Sequence, residues 1–157
     1  GALAEDDRRA VDSALDALAL GNLRGRPLSH LSGGERRRAL IAAVLAQELG
    51  LLLLDEPTAA LDIHHAAEVM RLLSGAAAER RSVVIVTHDI NLAALFGDRL
   101  LMLVDGRIAA DGPPGDVLRP DVIRRAYGED LLVREHPETG GPMVVARREG
   151  GGKGAAP

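Results

Sequence analysis

Apolar positions at three- and four-residue spacing open the chain. Val11, Ala14, Leu15 and Leu18 share one face of a helix predicted over residues 1–20, with Glu5, Asp6 and Asp7 at its acidic start. Gly21 stops it, and Gly25 and Pro27 mark a loop. Ser32 and Glu35 form the S-x-x-E pattern of a capping box, so a second helix starts there and runs to about residue 48. Leu40, Ile41, Val44 and Leu45 are its expected buried stripe, while Arg36, Arg37 and Arg38 mostly face solvent. After Gly50, residues 51–54 are a continuous apolar run of buried-strand type, broken by Pro57. Asp62 caps a helix carrying Ile63, Ala66, Val69, Met70 and Leu73. Residues 83–87 form the next buried strand, and strand, helix and strand in succession imply a right-handed parallel crossover.

The pattern then changes. Asp89 opens a short helix through Leu95, closed by Gly97. Strands at 100–104 and 107–110 flank Asp105-Gly106, a strong hairpin signal. A break at residues 111–114 precedes helical turns at 116–118 and 121–127. Segments 131–134 and 143–146 can pair across the loop 136–142. Residues 150–157 have almost no apolar content and are expected to be disordered.

Composition narrows the classes. At 157 residues and 46% hydrophobic content, the chain suits one domain or most of one. Tyr127 and Phe96 are its only aromatics, so the core is aliphatic and stacking on nucleic-acid bases is disfavoured. A net charge of -4 also argues against a duplex-binding face. The absence of cysteine excludes disulfides and thiolate metal sites, and fits a reducing compartment. No apolar run approaches the ~18 residues that span a bilayer, and no signal-peptide pattern opens the chain. A membrane role therefore has to pass through a partner.

Three places carry candidate chemistry. Capping explains Ser32 and Glu35 but not Gly33 and Gly34, which lower helix propensity and leave backbone amides open to an outside phosphate. Asp55 and Glu56 end an apolar strand, and neighbours along a strand point to opposite sides, so the two carboxylates cannot share one job. His88 ends the next parallel strand, at the carboxyl edge where open α/β sheets hold ligands. Asp62 reads as a plain helix cap. His64 and His65 diverge on a helix with no further ligand to complete a metal set, and read as surface residues.

Taken together, Leu31-Ser32-Gly33-Gly34-Glu35, then Leu51-Leu52-Leu53-Leu54-Asp55-Glu56-Pro57, then Ala59-Ala60-Leu61-Asp62 resemble the signature loop, Walker B strand and D-loop of ABC-type ATPases. The resemblance covers nearly all of residues 5–147. It implies an α/β fold: a P-loop NTPase-like ABC ATPase core lacking its N-terminal half, with a partial helical subdomain and a C-terminal hairpin. The implied division is residues 1–49 as helical subdomain and signature helix, 50–149 as the C-terminal part of the core, and 150–157 as tail. The resemblance also implies roles. Asp55 would bind Mg²⁺ largely through water, and Glu56 would orient and deprotonate the water attacking the γ-phosphate of ATP. His88 would hold that phosphate. Ser32, Gly33, Gly34 and Glu35 would reach a nucleotide held by a second subunit, with Asp62 also contacting across the dimer.

The segments His88-Asp89-Ile90-Asn91-Leu92-Ala93-Ala94, Asp105-Gly106-Arg107-Ile108 and Gly112-Pro113-Pro114 resemble importers of iron-siderophore, haem or cobalamin type. Arg125-Ala126-Tyr127-Gly128 and His136-Pro137-Glu138-Thr139-Gly140 point the same way. Arg37 stands where glutamine is common and Ala43 where arginine is common; little is expected of either. A larger departure is the P-loop, Gly-x-x-x-x-Gly-Lys-Ser/Thr. The single lysine, Lys153, has Arg147 where the first glycine belongs and no Ser/Thr after it. The resemblance thus implies the C-terminal part of an ATPase, beginning inside its helical subdomain and expected to be inactive on its own for want of Walker A.

Three functions stay open on these residues. One is the ATPase subunit of an importer: a homodimer on a transmembrane permease, cytoplasmic and peripheral to the inner face of the plasma membrane, with no nucleic-acid partner. Another is a DNA-repair or chromosome-organising ATPase head, disfavoured by the lack of long heptad repeats. The last is a non-catalytic ABC fragment that only pairs with another subunit.

Overall fold

A computed structural model describes residues 4–78 and 81–147. The expected tail at 150–157 and residues 1–3 of the first expected helix lie outside the described residues. The chain divides into two compact units, Gly1–His88 and Asp89–Pro157.

In the first unit, α1 (Glu5–Ala17) is followed by two short 3-10 turns, Gly21–Leu23 and Leu28–His30, and by α2 (Gly33–Leu45). Then come β1 (Leu51–Asp55), α3 (Ile63–Ala78) and β2 (Ser82–Val86). β1 and β2 pair in parallel, Leu51 opposite Ser82 through Asp55 opposite Val86, as the strand–helix–strand pattern requires. Ala14, Leu18 and Leu20 bury against Ile41 and Ala42 of α2, Leu52 of β1, and Val69 and Leu73 of α3. This aliphatic cluster fixes where β1 ends relative to the start of α2.

Four expectations change here. α2 stops at Leu45 rather than near residue 48, because Glu48 takes a left-handed φ of 50° and turns the chain before Gly50. Its buried face centres on Ile41 and Ala42, while Leu40 is exposed. Among the three arginines only Arg36 faces solvent fully; Arg37 is half-buried and Arg38 buried, since successive helical residues rotate by about 100°. The run at 51–54 is covered on one side only. Leu51 and Leu53 are exposed together with Val84 and Val86 of β2, whereas Leu52 is buried. Parallel strands of this composition are normally covered on both faces.

The second unit contains α4 (Ile90–Phe96), the hairpin β3 (Leu100–Val104) and β4 (Arg107–Gly112), α5 (Pro114–Val117), α6 (Pro120–Tyr127), β5 (Leu131–Glu135) and β6 (Pro142–Ala146). Asp105 and Gly106 turn the first hairpin with φ of 50° and 73°, the left-handed pair a two-residue turn demands. β5 and β6 pair antiparallel, Leu131 opposite Ala146, across the expected loop. Val117, Leu118, Ile123 and Val144 form the buried core, with Ile90, Leu100, Met102 and Val133 packed on it. Asn91 of α4 bonds both backbone groups of Val144: its Nδ2 donates to the carbonyl at 2.9 Å, and the Val144 amide donates to its Oδ1 at 2.8 Å.

Candidate functional site

The start of α2 is built by a reciprocal cap. The Ser32 amide donates to the Glu35 carboxylate at 2.8 Å, and the Glu35 amide donates to Ser32 Oγ at 3.3 Å. These bonds, the backbone one foremost, hold the Glu35 carboxyl below its ordinary value. Neither Gly33 nor Gly34 has a positive φ. A Cβ on Gly33 would meet nothing, and one on Gly34 would lie an ordinary 3.5 Å from Leu61. Backbone conformation and internal packing therefore do not require glycine at either position. What the two glycines provide is bare backbone at a helix N-terminus, where amides face outward and the dipole favours an anion.

The ends of β1 and β2 bring two further candidates together. Asp55 is exposed at the end of β1, on the same side as Leu51 and Leu53. Glu56 leaves the strand through a left-handed φ of 47°, and its amide donates to the Val86 carbonyl at 2.8 Å. This turn carries its carboxylate to His88. The ring Nδ1 of His88 lies 2.8 and 2.9 Å from the two carboxylate oxygens. An ionised carboxylate only accepts, so Nδ1 carries the proton in this contact. The His88 side chain is 81% exposed and that of Glu56 31%.

Asp62 takes the expected cap position on α3. Its Oδ1 accepts from the His65 amide at 2.9 Å and its Oδ2 lies 2.7 Å from His65 Nδ1. The amide bond foremost holds the Asp62 carboxyl below its ordinary value. His64 is exposed, 3.2 Å from Glu68. Among the described residues no three or more His, Cys, Asp or Glu side chains gather to hold a metal. A cation at Asp55 would thus have one protein carboxylate and take its other ligands from water and phosphate. That donor set suits Mg²⁺.

One residue was not legible as a participant. Arg37 of α2 reaches the end of β1, where its guanidinium donates to the carbonyls of Asp55 at 3.0 Å, Glu56, and Pro57 at 3.3 Å. The only sequence signal for it was its place four residues before the buried Ile41.

Known proteins resemble this chain in sequence and in fold. Residues 2–94 match the family described as "AAA domain, putative AbiEii toxin, Type IV TA system". A hemin import ATP-binding protein of Rhodococcus jostii is 46% identical over 145 residues, covering 92% of this chain and 50% of that protein. One of the same name from Streptomyces coelicolor is 46% identical over 148 residues, covering 94% and 53%. The chain spans about half the length of the curated relatives it matches. Among solved structures, "An inward-facing conformation of a putative metal-chelate type ABC transporter" matches with a TM-score of 0.79 at 28% identity, over 94% of this chain and 60% of that one. A dimeric ATP-binding cassette in a post-hydrolysis state, bound to ADP and Pi, matches with a TM-score of 0.63 at 34% identity, over 72% and 50%.

Proposed function

We infer that this chain, which belongs to the AAA-domain family, carries the signature loop and the hydrolytic strand ends of the ATPase subunit of an ABC-type importer. The fold is P-loop NTPase-like and spans part of the length of its relatives. The P-loop, in this reading, belongs to the portion of the relatives' length that this chain does not span. The apolar outer face of β1 and β2, with Leu51, Leu53, Val84 and Val86 exposed, is where that portion packs.

The contact between Glu56 and His88 at the carboxyl end of two parallel strands carries the proposal. Glu56 accepts the proton of the attacking water, and His88 orients the Glu56 carboxylate and holds the γ-phosphate. Asp55 holds Mg²⁺, which supplies charge neutralisation on the phosphates when bound. Ser32, Gly33, Gly34 and Glu35 present the α2 N-terminus to the nucleotide of a second subunit, with Asp62 at the same dimer face. The subunit works as a homodimer on the inner face of the plasma membrane. A transmembrane permease is its partner, a reading supported by the import and transporter names of the relatives. The names of the relatives, hemin import proteins and a metal-chelate type transporter, favour haem or a similar metal chelate as the solute.

The test uses a restored subunit, in which this chain is joined to a P-loop-bearing segment. Glu56→Gln keeps the shape and removes the base, so turnover should fall by ~10²–10⁴-fold with ATP binding intact. ATP-bound dimer should then accumulate on size-exclusion chromatography. Near-normal hydrolysis by the variant would remove Glu56 from the mechanism. A restored subunit that neither copurifies with a permease nor responds to Ser32→Arg in transport would end the importer assignment.

A further inference from the structure

We propose that Arg37 is a positioning residue for Glu56, which ties the helix carrying the Ser32–Glu35 loop to the end of the hydrolytic strand; this rests on the hydrolytic reading above. Three successive carbonyls, of Asp55, Glu56 and Pro57, converge on one guanidinium. Converging carbonyl dipoles repel one another, and a planar cation with several donors is the group that holds them together. Bonds from a charged donor are also stronger than neutral ones. The residue in the middle of the three is the one that needs holding. Glu56 sits at φ 47°, a conformation side-chain-bearing residues resist, and in that conformation its carboxylate meets His88.

Glu56 is therefore gripped from two elements. Its amide is fixed by Val86 of β2 and its carbonyl by Arg37 of α2. With the amide held by Val86 alone, rotation about the Glu56 N–Cα bond would move its carbonyl and side chain together and carry the carboxylate off His88; the hold of Arg37 on that carbonyl opposes this rotation. Arg37 also lies one turn into α2, beyond the capped residues Ser32 and Glu35. A displacement of the loop thus has a direct path to the base. Arg37 touches no reacting atom, so its loss acts on how often Glu56 is aimed, and not on nucleotide binding.

In the restored subunit, Arg37→Met should lower kcat for ATP about tenfold or more with KM within about twofold. Arg37→Gln, which keeps a planar donor, should fall between Met and wild type. In the 157-residue chain itself, the backbone ¹³C shifts of Glu56 should move away from left-handed values in Arg37→Met and less in Arg37→Gln. Far-UV circular dichroism checks folding, and where Met unfolds the chain the Gln variant alone decides. Wild-type kcat in both variants, an effect confined to KM, or unmoved Glu56 shifts would overturn the proposal. Glu56→Gln is the control that separates the two readings. If it abolishes turnover while Arg37→Met does not, only the Arg37 assignment fails. If it leaves turnover unchanged, the hydrolytic reading fails and this one with it.

Discussion

Replacing Glu56 by glycine and by alanine in the 157-residue chain separates its backbone from its carboxylate. At φ 47° the Cβ of an L-residue crowds the neighbouring carbonyl oxygen, at a cost of roughly 1–2 kcal/mol. Glycine removes that term and gives back ~0.4–1 kcal/mol through its greater freedom when unfolded. Alanine keeps the backbone penalty. Both lose the same contact with His88, an exposed pair worth ~0–1 kcal/mol, which cancels between them. Glu56→Gly should therefore be more stable than Glu56→Ala by about 1 kcal/mol. That reverses the ordinary order, in which glycine trails alanine by roughly 0.5–1 kcal/mol. In a chain of this length the difference corresponds to roughly 2–4 °C in Tm. Urea unfolding followed by circular dichroism measures it. Ala60→Gly, at φ 63° and exposed, should share the sign, whereas Ala67→Gly inside α3 should destabilise. Equal stability of the two Glu56 variants, or alanine ahead, would refute the reasoning and with it the claim that this turn needs an external clamp.

Three further outcomes are expected of the same fold. Leu52→Ala, in the core with Val69 and Leu73, should cost ~2–5 kcal/mol by urea unfolding; a loss well under 1 would show that the cluster does not close around β1. Glu35 has a carboxyl lowered from 4.5 by its bonds to Ser32, so its contribution to stability is complete above 4.5 and lost as pH falls through the lowered folded value. Glu35→Gln should flatten the acid side of the stability profile, and an unchanged slope would contradict the bond. Calorimetric titration of MgATP into the 157-residue chain should show negligible binding, because its sequence holds no P-loop pattern; micromolar one-to-one binding would require a second phosphate site.

Much of this was readable beforehand because each signal was local. Ser32 and Glu35 specify a cap within four residues, and Asp105-Gly106 specifies a turn within two. The meeting of Glu56 and His88 followed from two strands made parallel by the helix between them. What escaped was non-local. Whether Arg36, Arg37 or Arg38 faces inward depends on where α2 sits against β1, and Leu40 suggested the wrong centre for its buried face. The run at 51–54 has an alternating exposure that its composition cannot announce, since leucine fills both faces. The left-handed turn at Glu56 has no sequence marker either, because glycine or asparagine would ordinarily flag it.

Asn91 has a consequence for how copies of this chain behave in a crowd. β6 is short, and the side of it turned away from β5 presents backbone groups at alternate residues. At Pro142 that edge lacks an N–H. At Val144 both its donor and its acceptor are taken by the Asn91 amide. A foreign strand approaching β6 therefore finds the middle of its hydrogen-bonding ladder already occupied, by a side chain standing in for a strand. An open edge is a template for runaway pairing between molecules. In this chain one asparagine, reaching 53 residues along the sequence, closes it.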